Sequence, residues 1–347
     1  MGVLQNLRDA LALPALAAAR TASVESPWAT RGNLQSVSPP DFFESPHTIS
    51  RAGAMALPPV ARARRIIVSS IARCDLTTYR GDELIDTPEW LTRTDGVLSP
   101  YHRMVWTIDD LFFHGWSLWA VERDRTGAII AADRIPFDDW SIDSENRITW
   151  NGTLVADDQV ILIPGVDDGI LRYSQALLDA RELYAAASRA SRSPVAHTEL
   201  HQTGGDILSQ EGIYDLLASW ARARRSPDGA VSFTPPNIEV KTHGSANSHL
   251  LVDGRNAAAV DIARVCGIPA VLLDASTDAD KSIKYSNVDT RNIELIDYCL
   301  SSFMAPIAAR LGMDDVVAPG IRLEFDTDRL TSLSDVSVPD DENRNNS

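Results

Sequence analysis

At 347 residues, 44% of them hydrophobic and 23% charged, the chain is long enough for two or three ordinary domains with a substantial core. No apolar run approaches the roughly 20 residues that cross a bilayer. A formal net charge of −16 speaks against a protein that reads DNA sequence, because such surfaces are basic.

Residues 1–50 are rich in Ser, Pro and Ala with little periodicity and predict a partly mobile arm. Its opening, MGVLQNLRDALALPALAAAR, is mildly amphipathic. Arg8 and Asp9 interrupt the apolar stretch, so it reads as a surface or partner-binding helix rather than a signal peptide. A helix follows over 55–74, with Pro58 and Pro59 near its start, where missing amide donors cost least. Pro100 after Ser99 opens a second helix and Gly115 closes it. Strong alternation over 117–163, with turns at Arg125-Thr126-Gly127 and Asn151-Gly152, predicts a β-rich unit. Helices are predicted over 174–192, on Leu177, Leu178, Leu183 and Tyr184, and over 211–225, on Ile213, Leu216, Leu217 and Trp220. Pro235-Pro236 introduces a strand from Ile238 to Lys241.

The stretch 257–312 is the most informative. A helical pattern carries Val260, Ile262, Ala263 and Cys266 and stops at Gly267. After a short apolar piece with Pro269, a polar loop runs from Asp274 to Lys284. A long helix is then predicted from Ser286, with Asp289 three residues on, close to a capping box. Its apolar residues are Ile293, Ile296, Leu300, Phe303, Met304, Ile307 and Leu311. Pro306 is expected to kink it and Gly312 to end it. The tail 331–347 is polar and acidic and reads as disordered. Cys74, Cys266 and Cys299, odd in number and widely spaced, read as reduced core residues.

Several constellations invite an enzymatic reading. Acidic pairs stand at Asp109-Asp110, Asp138-Asp139, Asp157-Asp158, Asp167-Asp168 and Asp314-Asp315, and paired carboxylates can hold Mg²⁺. On a strand, however, neighbours point to opposite faces. His197 and His201 have the spacing of one helical face, but no third zinc ligand stands out. There is no phosphate-binding Gly-Lys-Ser/Thr loop, so the chain is not a P-loop ATPase, and no nucleophile motif. The aromatic group Trp106, Phe112, Phe113, Trp116 and Trp119 is spaced as a core. No catalytic residue, metal site or cofactor is therefore assigned. A metal-dependent nuclease or phosphatase remains the alternative from another class.

The order of motifs resembles one family. Ala263-Arg264-Val265-Cys266-Gly267-Ile268-Pro269, then Leu272-Leu273, then Tyr285-Ser286-Asn287 before a long helix, is similar to the segment of tailed-bacteriophage portal (head–tail connector) proteins, of the siphovirus type. There it forms a stem helix, a tunnel loop facing DNA, and a helix crossing the wing. Residues 54–80, the helix from Met104 to Gly115 with its hairpin, Ile161 to Ile170, and Ile321 to Thr327 resemble further parts of that family. Cys74-Asp75 departs from it where Pro is common, and Arg172-Tyr173-Ser174-Gln175 departs from a Gly-x-Ser-Pro turn.

The resemblance implies an α+β portal fold. Residues 1–50 would be an arm, 51–173 an α/β wing, 174–194 a first stem helix and 195–250 an inserted clip. A second stem helix would span 251–269, a tunnel loop 270–285, and the long wing helix with a late strand 286–330, the crown being reduced or absent. It further implies a dodecameric ring at the capsid vertex of the virion, made in the bacterial cytoplasm and not in a membrane. Its partners would be further copies, the major capsid protein, the terminase large subunit, a head–tail adaptor, and double-stranded DNA passing non-specifically. A portal-like ring of a gene transfer agent or defective prophage is the near alternative.

On this reading Asp278, Asp280, Lys281 and Lys284 face DNA, and Arg222, Arg224 and Arg225 dock partners on the clip. Two of the chain's three lysines lie in the loop. An ammonium makes non-directional phosphate contacts, where an arginine locks into a bidentate one. An acidic wall elsewhere leaves a duplex free to slide.

Overall fold

A computed structural model of the protein describes residues 49–93, 98–192, 197–206, 208–224, 237–243, 252–275 and 293–331. The chain divides into two compact units, Met1–Glu182 with Gly254–Ser347, and Leu183–Asp253.

In the larger unit, helix α1 (Arg51–Met55) is capped by Ser50, whose Oγ accepts the Gly53 amide at 3.1 Å. Helix α2 (Pro58–Ala72) begins on two prolines at positions that need no intrahelical donor. It buries Val60, Ala63, Ile67, Val68 and Ile71 and packs on α4 (Pro100–His114). The short helix α3 (Glu89–Thr92) lies between them in the chain. Ser99 caps α4, and Gly115 ends it in the left-handed region, at φ 75°. Nothing larger than glycine fits there. A Cβ would stand 2.3 Å from the Asp167 carbonyl oxygen, and the Gly165 amide donates to the Gly115 carbonyl at 2.7 Å. The turn leading into the next helix is thereby docked on the end of α4.

Strand β3 (Trp116–Arg123) is the centre of an antiparallel sheet ordered β4 (Ile129–Ile135), β3, β8 (Val160–Pro164). Leu118 pairs with Ile135 on one side and Leu162 on the other. The first six residues of β3 are all buried, because both faces are covered. Trp116, Leu118 and Ala120 pack with Trp140, Ile148 and Trp150 of a small sheet made of β5 (Trp140–Ile142), β6 (Ile148–Trp150) and β7 (Thr153–Leu154). The other face meets α4: Ser117 donates to Asp110 at 3.0 Å, and the Trp119 indole donates to Thr107 at 2.7 Å.

A third sheet joins distant parts of the chain. Strand β1 (Leu76–Arg80) pairs with β2 (Glu83–Ile85) and with the late strand β11 (Ile321–Phe325), in register from Leu76–Phe325 to Arg80–Ile321. Helix α8 (Ser301–Leu311), with Pro306 inside it, packs on β11. Its Arg310 is buried. It donates to both carboxylate oxygens of Asp315 at 2.9 and 2.8 Å and to the Leu162 carbonyl of β8 at 3.0 Å. A last short helix, α9, spans Asp328–Thr331.

Helix α5 (Ser174–Arg192) runs from the larger unit into the smaller. The smaller unit holds an antiparallel hairpin of β9 (His197–Gln202) and β10 (Ile238–His243), with helix α6 (Gln210–Arg224) between the strands in sequence. Helix α7 (Val252–Val265) follows.

Removing one member of a buried ion pair leaves the other uncompensated, at a cost of about 3–5 kcal/mol. Asp315→Ala is expected to destabilise the larger unit by that amount through the stranded Arg310. Thermal and urea unfolding of the variant against the parent measure it; a loss under 1 kcal/mol would show that the pair does not carry this junction.

Candidate functional site

The site is the root of the segment between Ala275 and Ile293. Helix α7 ends in a Schellman motif. The Gly267 amide donates to Arg264 at 3.2 Å, and the Ile268 amide to Ala263 at 3.0 Å. Gly267 takes φ 64°, which a residue with a Cβ pays for, and the following Ile268 is buried. The chain then makes a 3₁₀ turn, Ala270–Leu273, and repeats the same closure: Asp274 donates to Val271 at 3.2 Å and Ala275 to Ala270 at 3.1 Å. Asp274 stands at φ 57°, a conformation that Asp tolerates better than most residues. Leu273 and Ala275 are buried. Residues 270–275, read from the sequence as the start of the loop, are therefore a packed turn. Apolar Leu273 and Ala275 have a core to enter, which the polar run after them lacks.

The return is anchored on the same spot. Ile293 and Glu294 are helical, and a π-helical stretch Leu295–Leu300 leads into α8. The wider π turn is supported by Ser301, whose Oγ donates to the Ile296 carbonyl at 2.7 Å. Cys299 and Leu300 are buried, and the Cys299 thiol lies 3.8 Å from the Cys266 carbonyl as donor. A Cβ on Gly267 would come within 4.0 Å of the Tyr298 carbonyl. Both ends of the intervening segment thus rest on α2, against which the 3₁₀ turn and the π turn both pack, and the Cys266–Cys299 contact joins them. Burial pushes both thiols up, Cys299 to about 12, so they are protonated packing groups. Cys74 is also buried, and none of the three cysteines is in a disulfide.

Helix α2 reaches this root. Arg62 donates from Nε to the Leu272 carbonyl at 2.5 Å, and its terminal nitrogens lie 2.9 and 3.3 Å from the Asp274 carboxylate.

Asp278, Asp280, Lys281 and Lys284 lie outside the described residues, as do Ser286, where the long helix was expected to open, and Arg225. Arg222 is exposed on the last turn of α6, and Arg224 is the final residue of that helix. The acidic pairs are differently placed. Asp109 and Asp110 are both buried on α4, but arginines occupy them. Arg51 donates to both oxygens of Asp109 at 2.8 and 3.0 Å, Arg64 adds a bond at 2.6 Å, and Arg134 makes a two-point contact with Asp110. Half-buried Trp106 lies among these guanidiniums, 5.6 to 6.0 Å from Arg51, Arg64 and Arg134. The remaining aromatics of that group are core. His197 and His201 are on strand β9, not a helix, so their four-residue spacing separates rather than gathers them. Among the described residues no group of three His, Cys, Asp or Glu is placed to hold a metal.

Sequence reasoning missed Arg62, Arg51 and the π turn. One signal was available for the arginines: residues 45–74 hold five arginines and no acid in a chain of net charge −16.

Burial pushes the Asp110 carboxyl up, to about 6, against hydrogen bonds from Arg134 and Ser117. The fold then holds a proton that the unfolded chain releases near about pH 4. This contribution to stability is complete below about pH 4 and is lost as pH rises through about 6. The stability of the parent relative to Asp110→Asn, which does not titrate, is expected to be about 1 kcal/mol greater at pH 5 than at pH 8. Urea unfolding at the two pH values measures it, and a constant difference would contradict the assignment.

Comparison with known proteins gives one consistent answer. The family described as phage portal protein matches residues 58–336. Among solved structures, an HK97 family phage portal protein from Corynebacterium diphtheriae is 33% identical, with a TM-score of 0.69, covering 84% of this chain and 99% of that one. The neck of an empty gene transfer agent particle, computed with C6 symmetry, is 18% identical with a TM-score of 0.61, covering 86% of this chain and 87% of that one. A chain from the virion of a native gene transfer agent particle is 17% identical with a TM-score of 0.61, covering 94% of this chain and 91% of that one. The latter two speak for the fold alone. Comparison with curated protein sequences gives no match.

Proposed function

The chain belongs to the phage portal protein family and is a portal subunit; we propose that its copies close into a dodecameric ring at the capsid vertex of a virion, through which double-stranded DNA is packaged and later ejected. The observation that carries this reading is the shared root: the described turns on either side of residues 276–292, the stretch that holds Lys281 and Lys284, both pack on α2. In a ring, that root repeats around the axis of the central hole. Asp278, Asp280, Lys281 and Lys284 are assigned to the wall of that hole, where mixed charges give weak, reversible contact with phosphate.

Ring formation is supported by apolar residues that the single chain leaves uncovered. Tyr298 is 79% exposed on the π turn, and Ile213, Tyr214 and Leu217 are exposed together on α6. A head-to-tail contact that closes on itself covers such faces in every copy. We assign residues 51–173 to the wing, 174–194 and 251–269 to the stem, and 195–250 to the clip. The clip would dock the terminase large subunit and then the head–tail adaptor through Arg222, Arg224 and Arg225, and the wing would contact the major capsid protein. The chemistry is mechanical: no described residue is assigned a catalytic role. A gene transfer agent ring is the second reading, since particles of that kind carry the same fold. No helix among the described residues is long and apolar enough to cross a membrane.

Purified protein imaged in negative stain and sized by sedimentation is expected to show rings. A compact monomer at every concentration and salt, absent from assembled particles, would overturn the proposal. Lys281→Ala with Lys284→Ala should leave rings and proheads intact and alter the length or retention of packaged DNA, measured as nuclease-protected DNA per particle. Normal length and retention would remove the DNA-facing assignment. Charge reversal at Arg222 and Arg224 should spare ring assembly and weaken terminase binding. Loss of rings with normal binding would reverse that assignment.

A further inference from the structure

We propose that Arg62 is a positioning residue for the channel segment: from the exposed side of α2 it clamps the turn that immediately precedes residues 276–292. Its bearing on DNA rests on the portal reading above, but the clamp itself does not.

The geometry is specific. The guanidinium makes three contacts on one target, Nε to the Leu272 carbonyl at 2.5 Å and the two terminal nitrogens to Asp274 at 2.9 and 3.3 Å. A planar fork suits this set of acceptors, and an ammonium does not. The target is the last closure before the segment. Asp274 holds the left-handed position whose 3₁₀ capping bonds to Ala270 and Val271 set the exit direction. The turn packs on α2, and Arg62 adds hydrogen bonds from that helix to it.

Two consequences follow. Arg62 adds a side-chain restraint to a turn held by its own backbone bonds and by buried Leu273 and Ala275. It also sets a positive charge against the Asp274 carboxylate. Both partners are well exposed, at 49% and 74%, so the pair contributes little to global stability. Its effect is local, which is why it is separable from folding. Arg64, two residues on, points the other way and is spent on Asp109.

The chain's lysines make a direct test. An endoproteinase that cuts only after lysine has three targets, Lys241 on β10 and Lys281 and Lys284 beyond the clamp. Lys241, in the other unit, is the internal reference. Limited digestion of full-length rings, followed by mass spectrometry, gives the rate at Lys281 and Lys284 relative to Lys241. Arg62→Ala is expected to raise this ratio about three- to tenfold, the range for losing an exposed ion pair with a charge-assisted hydrogen bond. Arg62→Lys should recover less than half of the effect, because it cannot hold three acceptors. Asp274→Asn, which keeps an acceptor oxygen and tolerates the left-handed backbone, should fall between the parent and Arg62→Ala. Thermal unfolding of all three should match the parent. An unchanged ratio in Arg62→Ala, or full recovery by lysine, overturns the clamp. A raised ratio with normal packaging and retention of DNA would keep the clamp and remove the DNA-facing role of the segment, so the two claims fail separately.

Discussion

Two adjacent carboxylates, Asp109 and Asp110, are buried on α4, and much of the larger unit is arranged around neutralising them. An ionised carboxylate taken out of water without a partner costs several kcal/mol. The partners come from three places: Arg51 from α1, Arg64 from α2 and Arg134 from β4. Each arginine must therefore arrive at α4 from a defined direction, and this fixes how two helices and a sheet edge meet it. Apolar packing alone leaves a helix pair free to slide by a turn. A fork on a carboxylate does not, since a shift of one residue breaks both bonds. The network contributes register more than net stability, because its desolvation cost offsets most of the attraction.

That register is passed on. With Arg64 held inward by Asp109, Arg62 falls on the outer side of the same helix, where it meets Leu272 and Asp274. Cationic side chains two apart on a helix face different ways, so one set of buried bonds positions both. The turn that precedes residue 276 is thus tied to the core of the larger unit by a short chain of contacts running through α2. The same economy appears at Gly115, where the end of α4 and the turn before α5 touch backbone to backbone and only the absence of a Cβ permits it.

Local rules made much of this legible in the sequence. Ser99 with Pro100, Gly115, Gly267 and Gly312 mark helix ends because they act through the nearest turn, and each does so in the structure. What stayed hidden was non-local or nearly degenerate. The partner of β1 is β11, 245 positions away, and alternation within a strand does not name its neighbour. The π turn leaves the spacing of Ile296, Leu300 and Phe303 indistinguishable from an α-helix, because one extra residue per turn is absorbed without moving an apolar residue off its face. His197 and His201 fit a helix by count and lie on a strand, where the polar neighbours Glu199 and Glu239 share their face. By local pattern, residues 270 to 275 group with the polar run that follows them. Leu273 and Ala275 have a core to enter that no local pattern reveals.

The placement of charge gives the larger argument. A portal subunit of net charge −16 needs its cations where they restrain a duplex without gripping it. Five arginines of the larger unit are consumed inside the fold: Arg51, Arg64 and Arg134 on α4, Arg103 on the carbonyls of Trp90, Leu91 and Ala132, and Arg310 on Asp315. Burial even pushes the Arg103 guanidinium down, to about 10, with Asp133 the nearby charge that opposes the shift. Lysine, the more mobile cation, occurs three times in the chain, twice in the segment that follows Asp274. The division follows from the two side chains. Arginine, planar and weakly hydrated, is the better buried tether, and lysine, a hydrated point charge on a flexible stem, is the better sliding contact.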